Sequence, residues 1–273
     1  MKVDLSVIIV NFNTPKLVKE CVKSVSTLGT ESNFEIIAID NASREPIGNR
    51  DLHLYDVSVI QNKINSGFAK AVNVGIKASR GKYILLLNSD TKVQKGAIDE
   101  LYHFAKITPD AGVVGAKLLN TDGSTQESCF RFPTLWRTVK QYWLGQQGVL
   151  DKYAPSSQKT VEVEAVVGAA FLITPKAREK VGLLDERYFM FFEDLDYCRK
   201  IRKAGLKVYY LPTAHVFHFH GASGKKLADR ANQWRRLVPS SKIYHGIIMH
   251  YLIFLVTWTS QKVSTIWNKK PLL

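Results

Sequence analysis

Glu193-Asp194-Leu195-Asp196 stands directly behind the run YFMFF (188–192) and opens a stretch continued by Arg199 and Arg202. Acids at a helix N-terminus ordinarily cap it and gain from the macrodipole, so part of this set is structural. The apolar side chains just upstream make the site partly dry, and a carboxylate withdrawn from water becomes a better base. Asn88-Ser89-Asp90 ends the run KYILLL (82–87), where a carboxylate suits Mg²⁺ or Mn²⁺ held against a diphosphate; a turn-forming aspartate is the competing reading. A partner comes from AHVFHFHGAS (214–223). In an extended chain His218 and His220 face one side and His215 the other, and an imidazole there can complete a metal site.

Two further segments carry groups that fit a nucleotide. Asp40 follows FEIIAI (34–39), so its carboxylate stands at a strand end, able to accept an N–H from a pyrimidine ring; an Asx-turn within Asp40-Asn41-Ala42-Ser43 competes. Asn65-Ser66-Gly67-Phe68-Ala69 opens a helix continued by Ala71, Asn73 and Gly75. Small residues permit close backbone approach and a helix N-terminus favours phosphate, although Ser66 also reads as an ordinary N-cap.

These groups need elements to hold them. Apolar runs of strand length at Leu5–Val10, Phe34–Ile39, Val57–Ile60 and Tyr83–Leu87 alternate with helical periodicity at Pro15–Thr27 and Gly67–Ala78. That alternation predicts an α/β chain with a doubly wound, mostly parallel, Rossmann-like sheet. Asn11 and Asn13, Asp40 to Ser43, and Asn88 to Asp90 all follow such runs, which is where open α/β sheets bind ligands. Residues 120–159 show no clean periodicity and read as a loop-rich insertion near the acceptor. The pattern resumes with a strand from Val163 through Ile173, a short helix after Pro175, a helix over Leu195–Ala204 and a strand over Leu206–Leu211.

The 273 residues, 45% of them apolar, suffice for one large domain with an appendage and exclude a disordered chain. A formal charge of +14 favours anionic partners. Nucleic acid ranks last among them, because the basic residues are dispersed and no nucleic-acid-binding motif is present. Cys21, Cys129 and Cys198 have neither CxxC pairing nor metal-ligand spacing, which points to reduced thiols and a cytoplasmic catalytic part. MKVDLSVIIVNFN reads as a buried strand rather than a signal peptide.

The tail differs in kind. Ser240–Thr259 is rich in Ile, Leu, Phe and Trp, yet it is short for a span, carries His245 and His250, and is flanked by Lys242, Lys262, Lys269 and Lys270. An interfacial helix anchored at anionic head groups fits this pattern, and a helix packed on the core competes with it.

Taken in order, VIIVNFN, IDNAS, NSGFAKAVNVGI, LLLNSD, GAAFLI and FFEDLDYCRKIRKAGLKVYYLPTAHVFHFHGAS resemble the family 2 glycosyltransferases, in particular rhamnosyltransferase-like members, over residues 3–225. The resemblance implies a GT-A fold over residues 1–225, with a nucleotide-sugar-binding half (1–115), an acceptor and catalytic half (116–225) and a C-terminal helical appendage (226–273). It implies inverting transfer from a nucleotide-sugar donor with Mg²⁺ or Mn²⁺, dTDP-rhamnose being the best-fitting donor. The acceptor would be a saccharide or a lipid-diphosphate-linked saccharide in cell-surface polysaccharide synthesis, with the protein peripheral on the inner face of the membrane. Carried over by position, Asp194 is the catalytic base, Asp40 the base-reading aspartate, and Asp90 with His218 the metal ligands. Val10, Asn11, Asn13, Asn65, Gly67, Phe68, Asn73, Asn88, Ser89 and Glu193 complete the substrate and nucleotide contacts. Asn88 stands where a full DxD motif has its first acid. A nucleotidyltransferase and a non-catalytic nucleotide- or lipid-binding module are the alternatives. The first of these usually carries a basic, Gly-rich loop after the first strand, where this chain has NFNTPK.

Overall fold

The computed structural model describes residues 3–27, 30–48, 50–53, 55–219 and 230–267. In chain order the elements are β1 (Leu5–Asn11), α1 (Pro15–Ser26), β2 (Phe34–Asp40), β3 (Val57–Gln61), α2 (Phe68–Ala78), β4 (Tyr83–Asn88), β5 (Thr91–Val93), α3 (Ala97–Ile107), β6 (Ala111–Leu119) and β7 (Cys129–Phe130). They continue with α4 (Leu135–Tyr142), β8 (Val161–Val163), β9 (Ala165–Val166), β10 (Ala170–Ile173), α5 (Pro175–Val181), α6 (Glu193–Lys203), β11 (Lys207–His218), α7 (Arg230–His245) and α8 (Ile247–Trp267).

One sheet runs β3-β2-β1-β4-β10-β6-β11-β5, with β8 added on β11. Its first four strands are parallel, β10 is antiparallel to both β4 and β6, and β6 and β11 are again parallel. Apolar side chains cover both faces: Val7 and Ile9 join α1 and α3 in one cluster, while Ile8 joins α2, α5 and α6 in the other. Burial on both sides is why these strands read as unbroken apolar runs rather than alternating ones. The chain leaves β1 toward β2 and β3, then returns to the other side through β4, and this reversal opens a crevice at the carboxyl ends of β1 and β4. Register brings Asn11 opposite Asp40, and Val10 opposite Asn88.

Three boundaries differ from the sequence reading. The insertion contains a helix, α4, capped by Thr134, whose hydroxyl accepts the Arg137 N–H. It is only eight residues long and its apolar side leaves Trp136 exposed, so the segment does not stand out in the sequence as a core-packing helix. The strand expected to stop at Leu211 runs on through Pro212 to His218, because a register shift between Leu211 and His215 takes the proline out of the ladder. His218 therefore lies within β11, buried, with His215 on the opposite face; His220 lies outside the described residues. The helix expected from Leu195 begins at Glu193, which puts both Glu193 and Asp194 in its first turn.

Among the described residues no helix is long and apolar enough to cross a membrane. Cys21, Cys129 and Cys198 are buried free thiols, and burial pushes Cys21 and Cys129 up to about 12, so neither is a reactive thiolate near neutral pH.

Candidate active site

At the end of β1 and β2 the chain ties its own loops together. Asn11 Nδ2 donates to Asp40 Oδ2 at 2.6 Å and to Ser43 Oγ at 3.0 Å, while Asn11 Oδ1 accepts the Thr14 N–H. Asp40 also accepts the N–H groups of Ser43 and Ile47. Asp40 thus ties down its own loop through the Ser43 N–H three residues on, and the carboxylate is fully buried. Of these bonds Oδ1 takes one and Oδ2 two. Asn13, at φ 59°, accepts the Arg44 N–H on its side-chain oxygen. Asn41, which the sequence reading did not single out, bonds Asn62, Asn65 and the Gly67 carbonyl and so carries β2 across to the start of α2.

That start is packed against the acidic helix. Gly67 has φ 88°, and a Cβ there would lie 2.5 Å from the Phe189 carbonyl oxygen and 2.8 Å from its Cα, so only glycine fits. The Phe68 N–H donates to Phe189 O at 2.7 Å, and the Gly67 N–H to Asn65 Oδ1. Two of the N–H groups at this end are thereby engaged within the protein. Asn73 faces away from the crevice: its amide donates to Leu184 O and accepts Leu184 N–H. The sequence reading placed it among the nucleotide contacts; the structure makes it a clamp on the 184–186 loop, because both ends of the amide are used there.

Past β4, Asp90 and His218 converge. His218 Nε2 lies 3.4 Å from Asp90 Oδ1 and 3.4 Å from Asn88 Nδ2, with Asp90 and His218 almost fully buried. Ser89 Oγ lies 3.2 Å from Thr14 Oγ1, closing the crevice toward α1. The imidazole is oriented from behind. Gln126 Nε2 donates to Asn120 Oδ1 and to the His218 carbonyl, which fixes the amide so that its oxygen faces His218 Nδ1 at 2.7 Å. Nδ1 then donates to Gln126 and Nε2 faces Asp90, so the ring is oriented as a metal-ligating histidine is by its outer partner. No motif pointed to Gln126, which sits in the aperiodic insertion. One carboxylate and one imidazole suit Mn²⁺ or Mg²⁺ that takes its other ligands from phosphate and water. Among the described residues no group of three or more His, Cys, Asp or Glu forms a metal cage.

The acidic helix presents two carboxyls with different surroundings. Asp194 accepts the Gly168 N–H at 3.1 Å and the Leu195 N–H at 2.8 Å. Burial raises it above the ordinary aspartate value, while those N–H groups and the charge of Lys152 favour its ionised form. Glu193 is buried with no hydrogen-bond partner on Oε2, and burial together with the Asp194 charge pushes it up to about 8. Burial thus raises both carboxyls, and the neighbouring Asp194 charge raises Glu193 further, while only Asp194 has backbone N–H donors that favour its ionised form. Gly168 and Ala169 join this helix to β4, since the Gly168 N–H meets Asp194 while the Ala169 carbonyl accepts the Asn88 N–H.

The turn that carries Asp194 is strained and latched. Phe191 and Phe192 lie at φ 70° and 69°, a left-handed pair costing on the order of 1–3 kcal/mol each. Helix α7 holds the turn: Ser240 Oγ donates to Met190 O at 2.8 Å, and Arg236 reaches Met190 Sδ at 3.4 Å. Phe192 packs on Tyr244 at 5.2 Å between ring centroids, and Arg199 stacks on the same tyrosine while donating to its carbonyl.

Residues 6–148, more than half of the chain, match the sequence profile described as glycosyl transferase family 2. The N-acetylglucosaminyl-diphospho-decaprenol L-rhamnosyltransferase of Mycobacterium tuberculosis is 28% identical over 85% of this chain and 86% of its own length. The dTDP-rhamnosyl transferase RfbF of Shigella flexneri is 22% identical over 83% of this chain and 73% of its own. Among solved structures, GalNAc-T7 with UDP, GalNAc and Mn²⁺ aligns with a TM-score of 0.61 at 18% identity, over 80% of this chain and 44% of that one. The α/β sheet is thus the GT-A fold, and the chain belongs to glycosyl transferase family 2.

Proposed function

We propose that this glycosyltransferase is inverting and metal-dependent, that it transfers a hexose from a nucleotide diphosphate donor, with rhamnose from dTDP-rhamnose the best-fitting pair, and that its acceptor is a saccharide linked to a lipid diphosphate. The observation that carries the reading is geometric: Asp194 is held by the Gly168 and Leu195 N–H groups and tied through Ala169 to the end of β4, where Asp90 meets His218. The rhamnosyl relatives favour the donor, and the decaprenol-linked relative favours the acceptor.

Asp194 takes the proton of the acceptor hydroxyl as that oxygen attacks the anomeric carbon opposite the leaving diphosphate. A single base suffices for one displacement, and general-base catalysis contributes about 10²–10⁴-fold. The Gly168 and Leu195 N–H groups hold the carboxylate in place. Asp90 and His218 would hold a divalent cation, which would supply charge to offset that growing on the diphosphate. Val10, Asn11, Asn13, Asp40, Asn65, Gly67, Phe68, Asn88 and Ser89 border the crevice that receives the nucleotide. The protein works at the cytoplasmic face of the membrane, where the basic C-terminal segment meets anionic lipid.

Incubating purified protein with dTDP-, UDP- and GDP-sugars, with Mg²⁺, Mn²⁺ or EDTA, tests this. Metal-dependent release of a nucleoside diphosphate from a dTDP-sugar is expected; no such release, with nucleoside triphosphate and sugar 1-phosphate formed once pyrophosphate is added, would assign the chain to nucleotidyl transfer.

A further inference from the structure

Helix α8 is apolar around most of its circumference. The half-buried positions turned toward the protein include His250, Ile253, Val256, Thr257 and Ser260, whereas Ile248, Tyr251, Leu252, Leu255 and Trp258 occupy one outward arc and are exposed, Ile248 by 79%. Two of the inward groups are bonded: His250 Nδ1 to Ser241 Oγ at 2.8 Å, and Ser260 Oγ to the Tyr142 carbonyl at 2.7 Å. A surface helix in water instead confines its apolar stripe to the core side. One side of α8 packs on α4 and α7, and the exposed apolar arc points away from that contact.

The end of α4 joins this surface. Trp143 Nε1 donates to the Val256 carbonyl of α8, leaving much of the indole exposed, and Leu144 beside it is 56% exposed. The helix is braced from the other side, where Arg137 grips Glu164 through two hydrogen bonds and the same carboxylate accepts the Phe132 N–H. Aromatic rings on both helices sit beside ammonium groups: Lys140 by Trp136, Lys242 by Tyr251 and Lys262 by Trp258.

We propose that α8 and the end of α4 form one membrane-seating surface, occupied by the boundary between head groups and acyl chains of an anionic bilayer. Charge selects that occupant over a second copy of the chain. From Arg230 to Leu273 there are seven lysines and arginines and no aspartate or glutamate, so two such surfaces would repel while anionic lipid would attract both. Aromatic and basic side chains interleaved along an apolar arc are the composition of a helix lying in the interface plane. The inference rests on the reading that the acceptor is lipid-linked, and it adds that the insertion, far from the tail in sequence, shares the contact.

Flotation with vesicles of phosphatidylcholine, alone or mixed with phosphatidylglycerol, tests the surface independently of catalysis. The protein is expected to float with the mixed vesicles. Trp143→Ser with Leu144→Ser on α4, and Leu255→Ser with Trp258→Ser on α8, should each weaken partitioning by about tenfold or more. Circular dichroism checks that the variants stay folded, and Leu144→Glu, at an exposed site, is a milder α4 probe that should weaken partitioning too. If only the α8 variant loses binding, the composite surface is overturned and the tail alone is the contact. A protein that releases nucleoside diphosphate but ignores both vesicles overturns the membrane surface and leaves the glycosyltransferase reading intact. A dimer that the α4 variant dissociates, with no flotation, would reassign the surface to self-association.

Discussion

At the scale of single residues the account turns on how protons and lone pairs are placed. Gln126 orients the His218 ring, so Gln126→Ala should lower Mn²⁺ affinity by about 10–100-fold, read by calorimetry with nucleoside diphosphate present. Unchanged affinity would mean that His218 needs no such orientation. Glu193 gives a prediction in pH. Folded Glu193 binds its proton more tightly than an ordinary glutamate at 4.5, so between pH 4.5 and about 8 the folded state carries the extra proton and stability falls as pH rises. Glu193→Gln cannot ionise, and its melting temperature should lack that fall and exceed the parent's at the alkaline end. Superimposable melting curves would show that Glu193 is ionised in the folded protein. The acids and histidines were legible in the sequence because strand ends and an aromatic run framed them. Gln126, Asn41 and Gly168 were not, since each acts by bonding a residue distant in the chain.

At the scale of elements, the contact between the start of α2 and the 189–192 turn positions the base. Gly67→Ala pushes a Cβ into backbone that cannot swing aside, at a φ that disfavours any side chain. It should destabilise the fold by about 2 kcal/mol in urea melts and lower kcat more than it raises KM. Helix α7 acts on the same turn from the other side. Ser240→Ala removes the donor to Met190 O, a loss of about 1 kcal/mol, and should lower kcat with donor Kd unchanged, with Ser240→Thr restoring it. Equal kcat in the alanine variant would reduce α7 to packing. The parallel strands were readable because burial on both faces makes them continuously apolar, and the β1–β4 helices because their stripes face the sheet. Helix α4 and the extension of β11 past Pro212 were hidden, the first by brevity and exposed tryptophan, the second because a register shift accommodates a residue that ordinarily ends a strand.

At the scale of the whole molecule, a charge of +14 is not spent on any one contact. It sets a field that draws anionic donors toward the crevice. Stopped-flow binding of a dTDP-sugar should show an association rate that falls as salt is raised while dissociation changes little. A salt-independent association rate would confine the charge to the tail's own interactions. Helix α7 reaches the 189–192 turn through Ser240, Arg236 and Tyr244, so the helix next to α8 also supports the turn that carries Asp194. All of this assumes that Asp194 takes the acceptor proton. The most direct test is steady-state transfer by Asp194→Asn alongside calorimetric binding of the donor with Mn²⁺. The account predicts a loss of about 10²–10⁴-fold in kcat with donor affinity retained. Near-normal turnover by that variant would contradict it.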